Sequence, residues 1–108
     1  MMSFKKWGYE FDGYYSKPDY LQDEAGVYVV WCERNDDLLV LDVGQFGNVR
    51  KRLKNHERSD CWLNNCLREQ VRYSATYTHN IPEGERIRIE QLIRQLAKPL
   101  CSEHMLIG

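Results

Sequence analysis
A chain of 108 residues, 43% hydrophobic and 29% charged, has the mass for one domain and one modest core. No apolar run approaches the roughly 18 residues of a membrane span. The opening MMSFKKWGYEF also lacks the apolar stretch of an export signal, so a cytoplasmic setting without membrane contact is expected. The net charge of −1 argues against nucleic-acid binding through bulk charge alone, yet it conceals an asymmetry. Residues 1–43 carry four basic and nine acidic side chains, and residues 44–108 carry eleven and seven. A local basic patch would bind a polyanion modestly and in a salt-sensitive way.

Residues 1–25 are rich in aromatics without a helical period, and they read as an irregular lead-in with a short strand near Tyr9–Phe11. Their rings are expected to pack on the core edge, with base stacking or a protein-partner surface as the other uses. Gly26–Glu33 (GVYVVWCE) has the Val, Tyr and Trp content of a strand buried on both faces. The polar turn Arg34–Asp37 then leads into a second strand, Leu38–Val43, paired antiparallel to the first. Asp42 interrupts that apolar strand, and a carboxylate there must lie at an open end or find a partner.

Gly44–Gly47 reads as a loop and Asn48 as the N-cap of a basic helix, Val49–Arg58. Val49, Leu53 and His56 share one face of that helix, and Arg50, Lys51, Lys54 and Arg58 form a cationic surface suited to phosphates. A short helix over Asp60–Glu69, a third strand over Val71–His79 and an amphipathic helix over Glu83–Lys98 complete the chain. The last helix has a stripe of Ile89, Leu92, Ile93, Leu96 and Ala97 with Glu90 at its border. Glu90 alone is the kind of carboxylate that pairs with Arg86 or Arg94, each four residues away.

Four cysteines (Cys32, Cys61, Cys66, Cys101) are expected as reduced thiols in a cytoplasmic protein. Cys61, Cys66, Cys101 and His104 could offer four zinc ligands. Cys61 and Cys66 diverge by about 140° on one regular helix, so small buried thiols explain them better.

The order Gly26-Val27-Tyr28, Asp42-Val43-Gly44-Gln45, Asn48-Val49, Arg52-Leu53-x-x-His56, a helical Glu90 and Pro99 resembles the GIY-YIG nuclease superfamily. The likeness covers about residues 26–102, and Gly44 to His56 aligns without a gap. It implies an α/β domain with a small three-stranded antiparallel sheet flanked by helices. It further implies phosphodiester hydrolysis of nucleic acid, DNA ahead of RNA, with one Mg²⁺ or Mn²⁺ and no organic cofactor. On that likeness Glu90 would bind the metal, Arg52 would hold the scissile phosphate, and Tyr28 and His56 would assist proton transfer. The chemistry of the side chains agrees: a guanidinium offers a two-pronged phosphate donor, and one carboxylate suffices for an ion that keeps most of its waters.

Three positions depart from the family pattern: Asp42 stands where a tyrosine is expected, Phe46 where a threonine is, and Ser102 where an asparagine is. Asp42 could act as a base, join Glu90 as a metal ligand, or ion-pair with Arg52 and silence the site. The silent form would be a nucleic-acid-binding or regulatory module of the same fold, and the third alternative is a protein-interaction domain. No separate recognition domain is expected, so specificity would be low, or would come from nucleic-acid shape, a protein partner or a homodimer.

Overall fold
The computed structural model describes residues 2–101. Five strands and three helices follow one another along the chain: β1 (Ser3–Lys6), β2 (Tyr9–Tyr15), β3 (Gly26–Arg34), β4 (Asp37–Phe46), α1 (Val49–Lys54), α2 (Ser59–Asn65), β5 (Val71–Tyr77) and α3 (Glu83–Ala97). The strands form one antiparallel sheet in the order β1-β2-β5-β3-β4. This is the α/β class expected, with five strands where three were expected. The two additional strands come from the aromatic lead-in: β2 extends the short strand expected near Tyr9–Phe11, and β1 was read as irregular. Trp7 and Gly8 both adopt positive φ (53° and 86°) and reverse the chain between β1 and β2. The β2 strand then pairs with β5.

The central strand β3 is flanked by β5 and β4, and its side chains alternate between two cores. Tyr28, Val30 and Cys32 join Val49, Leu53 and Trp62 on the face covered by α1 and α2. Val27, Val29 and Trp31 join Phe11, Ile89 and Ile93 on the face covered by α3, with Phe4, Trp7 and Tyr14 packed against them. The stripe of α3 is narrower than expected, because Leu92 and Leu96 remain exposed.

The β4 strand sits at the sheet edge, and two of its features determine the site. It runs through Gly44 to Phe46, where a loop was expected, because Gly44 pairs with Tyr28 and Phe46 with Gly26. The register also shifts: Val30 pairs with Asp42 and Trp31 with Val40, so Leu41 is an inserted residue. That bulge puts Asp42 opposite Val30, on the side of the sheet that α2 covers. The outer edge is capped further along, where Leu100 and Cys101 donate to the carbonyls of Val40 and Leu41.

Asn48 caps α1 as expected, its side-chain oxygen accepting from the Lys51 amide at 3.0 Å. The helix is shorter than expected and stops at Lys54, so His56 lies in the loop beyond it. The cysteines are corrected as well. Cys32–Cys66 and Cys61–Cys101 are disulfides, formed where the fold brings their Cα atoms to 5.8 and 6.0 Å. All four sulfurs are thereby committed, and as disulfides they offer no thiolate to zinc; His104 lies outside the described residues. Disulfides persist mainly in oxidising compartments, the opposite of the setting that reduced thiols imply. No helix among the described residues is long and apolar enough to cross a membrane.

Candidate active site
A cleft of about 270 Å³ opens over the end of β4. Tyr28, Arg52 and Arg58 reach it from the α1/α2 side, and Glu90 and Arg94 reach it from α3, with Gly44 to Phe46 between them. Gly44 keeps it open: a Cβ added there would collide with the Tyr28 hydroxyl and ring. Three of the five expected catalytic residues, Tyr28, Arg52 and Glu90, therefore meet here, and Asp42 and His56 stand behind them.

Asp42 is fully buried and belongs to neither of its expected partners. Arg58 donates to it twice, from Nε to Oδ2 at 2.8 Å and from Nη2 to Oδ1 at 3.0 Å. Trp62 Nε1 donates to Oδ2 at 2.8 Å, and the Val43 amide donates to Oδ1 at 2.8 Å. Both oxygens are consumed by protein donors, so Asp42 does not serve as a metal ligand with Glu90, and it leaves Arg52 alone. Arg58 lines the cleft but does not stand on an exposed helix face: its guanidinium is turned onto the buried Asp42 carboxylate.

His56 is also buried, and its two nitrogens are both engaged. The Arg58 amide donates to Nδ1 at 3.0 Å. In the neutral ring this assigns the hydrogen to Nε2, which then donates to the Tyr28 hydroxyl at 2.6 Å. Burial, followed by the Arg58 guanidinium, lowers the His56 pKa to about 4, so the ring is neutral at pH 7. His56 therefore positions Tyr28 and is not itself a proton acceptor in the cleft. Burial first, then the Asp42 carboxylate, pushes the Tyr28 phenol up to about 12, while Arg58 and Arg52 pull the other way. The phenol is protonated at neutral pH, accepts from His56, and keeps its own O–H for the cleft.

Arg52 holds a fixed place on the cleft wall. Its guanidinium stands 5.7 Å from the centre of the Phe46 ring and donates to both carboxylate oxygens of Glu57, at 2.8 and 3.2 Å. Glu57 raises the Arg52 pKa, and Arg52 lowers that of Glu57. On α3, Arg94 donates from Nε to Glu90 Oε2 at 2.9 Å and contacts the same oxygen from Nη2 at 2.8 Å. Arg94 Nη2 also donates to the Val43 carbonyl, which ties Glu90 to the edge of β4.

Both Arg94 contacts fall on Oε2, which leaves Oε1 of Glu90 for the cleft. One carboxylate oxygen fits a hydrated Mg²⁺ or Mn²⁺ that takes its other oxygens from water and phosphate. No group of three or more ligating side chains that could cage an ion occurs among the described residues. Three guanidiniums surround the cleft, each paired with a carboxylate: Arg52 with Glu57, Arg58 with Asp42 and Arg94 with Glu90, so an anion there competes with those partners.

The remaining expected phosphate contacts are divided. Arg50 is corrected: it spends its guanidinium on the Asp23 carboxylate and on the carbonyls of Leu21 and Asp19, where it anchors the preceding loop. Lys51 is exposed, Lys54 lies 3.7 Å from Asp19, and Ser102 is outside the described residues. A larger hollow of about 760 Å³ lies on the other side of His56 and Glu57. It gathers charged rim residues without the convergent groups of the smaller cleft.

Sequence reasoning missed Glu57, Trp62 and the inward turn of Arg58. The four-residue spacing of Arg58 and Trp62 was a usable signal, since it aligns two donors for one buried carboxylate. Glu57 gives no such signal, because its pairing with Arg52 depends on the helix ending between them. Comparison with protein-family models, with curated proteins and with solved structures finds no match for this chain.

Proposed function
We propose that this protein hydrolyses phosphodiester bonds of nucleic acid, DNA ahead of RNA, in the manner of the GIY-YIG nucleases. The observation that carries the reading is the meeting of Tyr28, Arg52 and Glu90 in one cleft over the end of β4. The adjacent strands β5, β3 and β4 with α1 and α3 support the family likeness, and the β1–β2 hairpin is an addition to it.

In this reading Arg52 takes two oxygens of the scissile phosphate in its fork and offsets the charge that grows on them. The Tyr28 O–H donates to an oxygen of the same phosphate, oriented by the hydrogen that its own oxygen accepts from His56. Glu90 Oε1 would hold a Mg²⁺ or Mn²⁺ ion, which when bound supplies an acidified water and further neutralisation of phosphoryl charge. Asp42 acts at a distance, fixing Arg58 and through it the hydrogen placement on His56. The silent-module alternative had Asp42 capturing Arg52; Asp42 is engaged by Arg58, and the carboxylate on Arg52 is Glu57. Specificity in this proposal comes from nucleic-acid shape, or from a protein partner or second copy.

The test is incubation of supercoiled and branched DNA with the protein and Mn²⁺, beside Arg52→Ala and Glu90→Ala variants. Cleavage by the parent and its loss in both variants is expected. A parent protein that does not cut DNA overturns the proposal, and salt-dependent binding without cutting would indicate the silent module instead.

A further inference from the structure
The Arg52 fork already holds a planar, two-oxygen anion. Glu57 accepts from both of its terminal nitrogens, the pairing that a phosphodiester would need from the same group. Glu57 is 63% exposed at its side chain while Arg52 is anchored against Phe46 and the cleft wall, so the carboxylate is the mobile member. Glu57 also lines the larger hollow next to His56, which gives its side chain a place to go when released.

We propose that Glu57 is an internal substrate mimic, occupying the phosphate fork of Arg52 in the free protein and yielding it only to a polyanionic strand. The inference rests on the phosphate role given above to Arg52. An isolated phosphate must displace the carboxylate for a single contact. A strand that also meets exposed cations such as Lys51 has contacts to spare, so the same displacement cost that keeps isolated phosphate off the fork still leaves a strand bound. The pair is exposed and separable, consistent with the modest strength of surface ion pairs.

The experiment measures binding, so it does not depend on turnover. Inorganic phosphate and a short single-stranded DNA are titrated into the parent protein, Glu57→Gln, Arg52→Ala and the double variant. Asp36→Asn, at the exposed β3–β4 turn, controls for the change in net charge. Glu57→Gln is expected to bind phosphate about three- to five-fold tighter, with a similar fold gain for the DNA strand and none in the Arg52→Ala background. Equal affinity in Glu57→Gln and the parent overturns the latch, as does a gain that survives Arg52→Ala or is matched by Asp36→Asn. Tighter phosphate binding without DNA cleavage by any variant supports the latch and counts against hydrolysis, so the two proposals fail separately.

Discussion

Substituting Asp42 by asparagine tests the reassignment of this residue from metal ligand to buried anchor. The carboxylate accepts four hydrogen bonds: two from Arg58, one from Trp62 Nε1 and one from the Val43 amide. Asparagine retains one acceptor oxygen and turns an NH₂ group toward two of those donors. It also removes the charge of the buried partner that the Arg58 guanidinium, 14% exposed, holds in two hydrogen bonds. Removing one member of a buried ion pair costs about 3–5 kcal/mol, a large share of the roughly 5–15 kcal/mol that stabilises a small domain. Urea unfolding followed by tryptophan fluorescence reads the loss directly, since Trp62 is itself one of the donors. The midpoint should fall with the slope unchanged. In an Arg58→Met background the same substitution should cost at least about 2 kcal/mol less. A loss below about 1 kcal/mol would refute the clamp and return Asp42 to consideration as a ligand.

Three further outcomes follow from the same geometry. His56 has a folded pKa near 4 against 6.5 unfolded, so below pH 6.5 only the unfolded chain takes up its proton. Stability should therefore decline as pH falls from about 6.5 to about 4, by about 3 kcal/mol in all. Urea midpoints across that window should show the decline, and His56→Gln should flatten it. Gly44→Ala should push the Tyr28 ring off its position, lowering stability by about 1–3 kcal/mol and DNA cleavage with it, as read by unfolding and nicking assays. The disulfides close sequence separations of 34 and 40 residues. Reduction with dithiothreitol should cost about 3–4 kcal/mol for each, visible as a lower urea midpoint.

The local pattern of the sequence shows β3, the second hairpin, the start of α1 and the whole of α3, because each is written in side-chain periodicity or in a cap such as Asn48. The first hairpin is hidden because its turn uses Trp7 in a positive-φ conformation, which tryptophan composition does not announce. The end of α1 is hidden too, since Val49, Leu53 and His56 continue a helical period that the backbone abandons at Lys54. His56 still points inward, held there by the Arg58 amide instead of a helix face. Asp42 was legible as a carboxylate in need of partners, while their identity depended on the Leu41 bulge and on α2 packing across β4. The disulfides were concealed by the same long-range packing, which brings Cys32 to Cys66 and Cys61 to Cys101. Glu90 was legible in both of its expected relations, to Arg94 on its own helix and to Tyr28 and Arg52 across the cleft.

The most direct measurement is the initial rate at which the purified protein nicks supercoiled DNA in Mn²⁺, compared with Glu90→Gln, a variant that keeps the side-chain shape and its place beside Arg94. If Tyr28, Arg52 and Glu90 form a phosphodiesterase site, the parent nicks DNA and Glu90→Gln falls by about 100-fold or more at a temperature where it is still folded, although loss of the buried Arg94 pair lowers its unfolding midpoint. Nicking at the parental rate by a folded Glu90→Gln, or none by the parent, would contradict it.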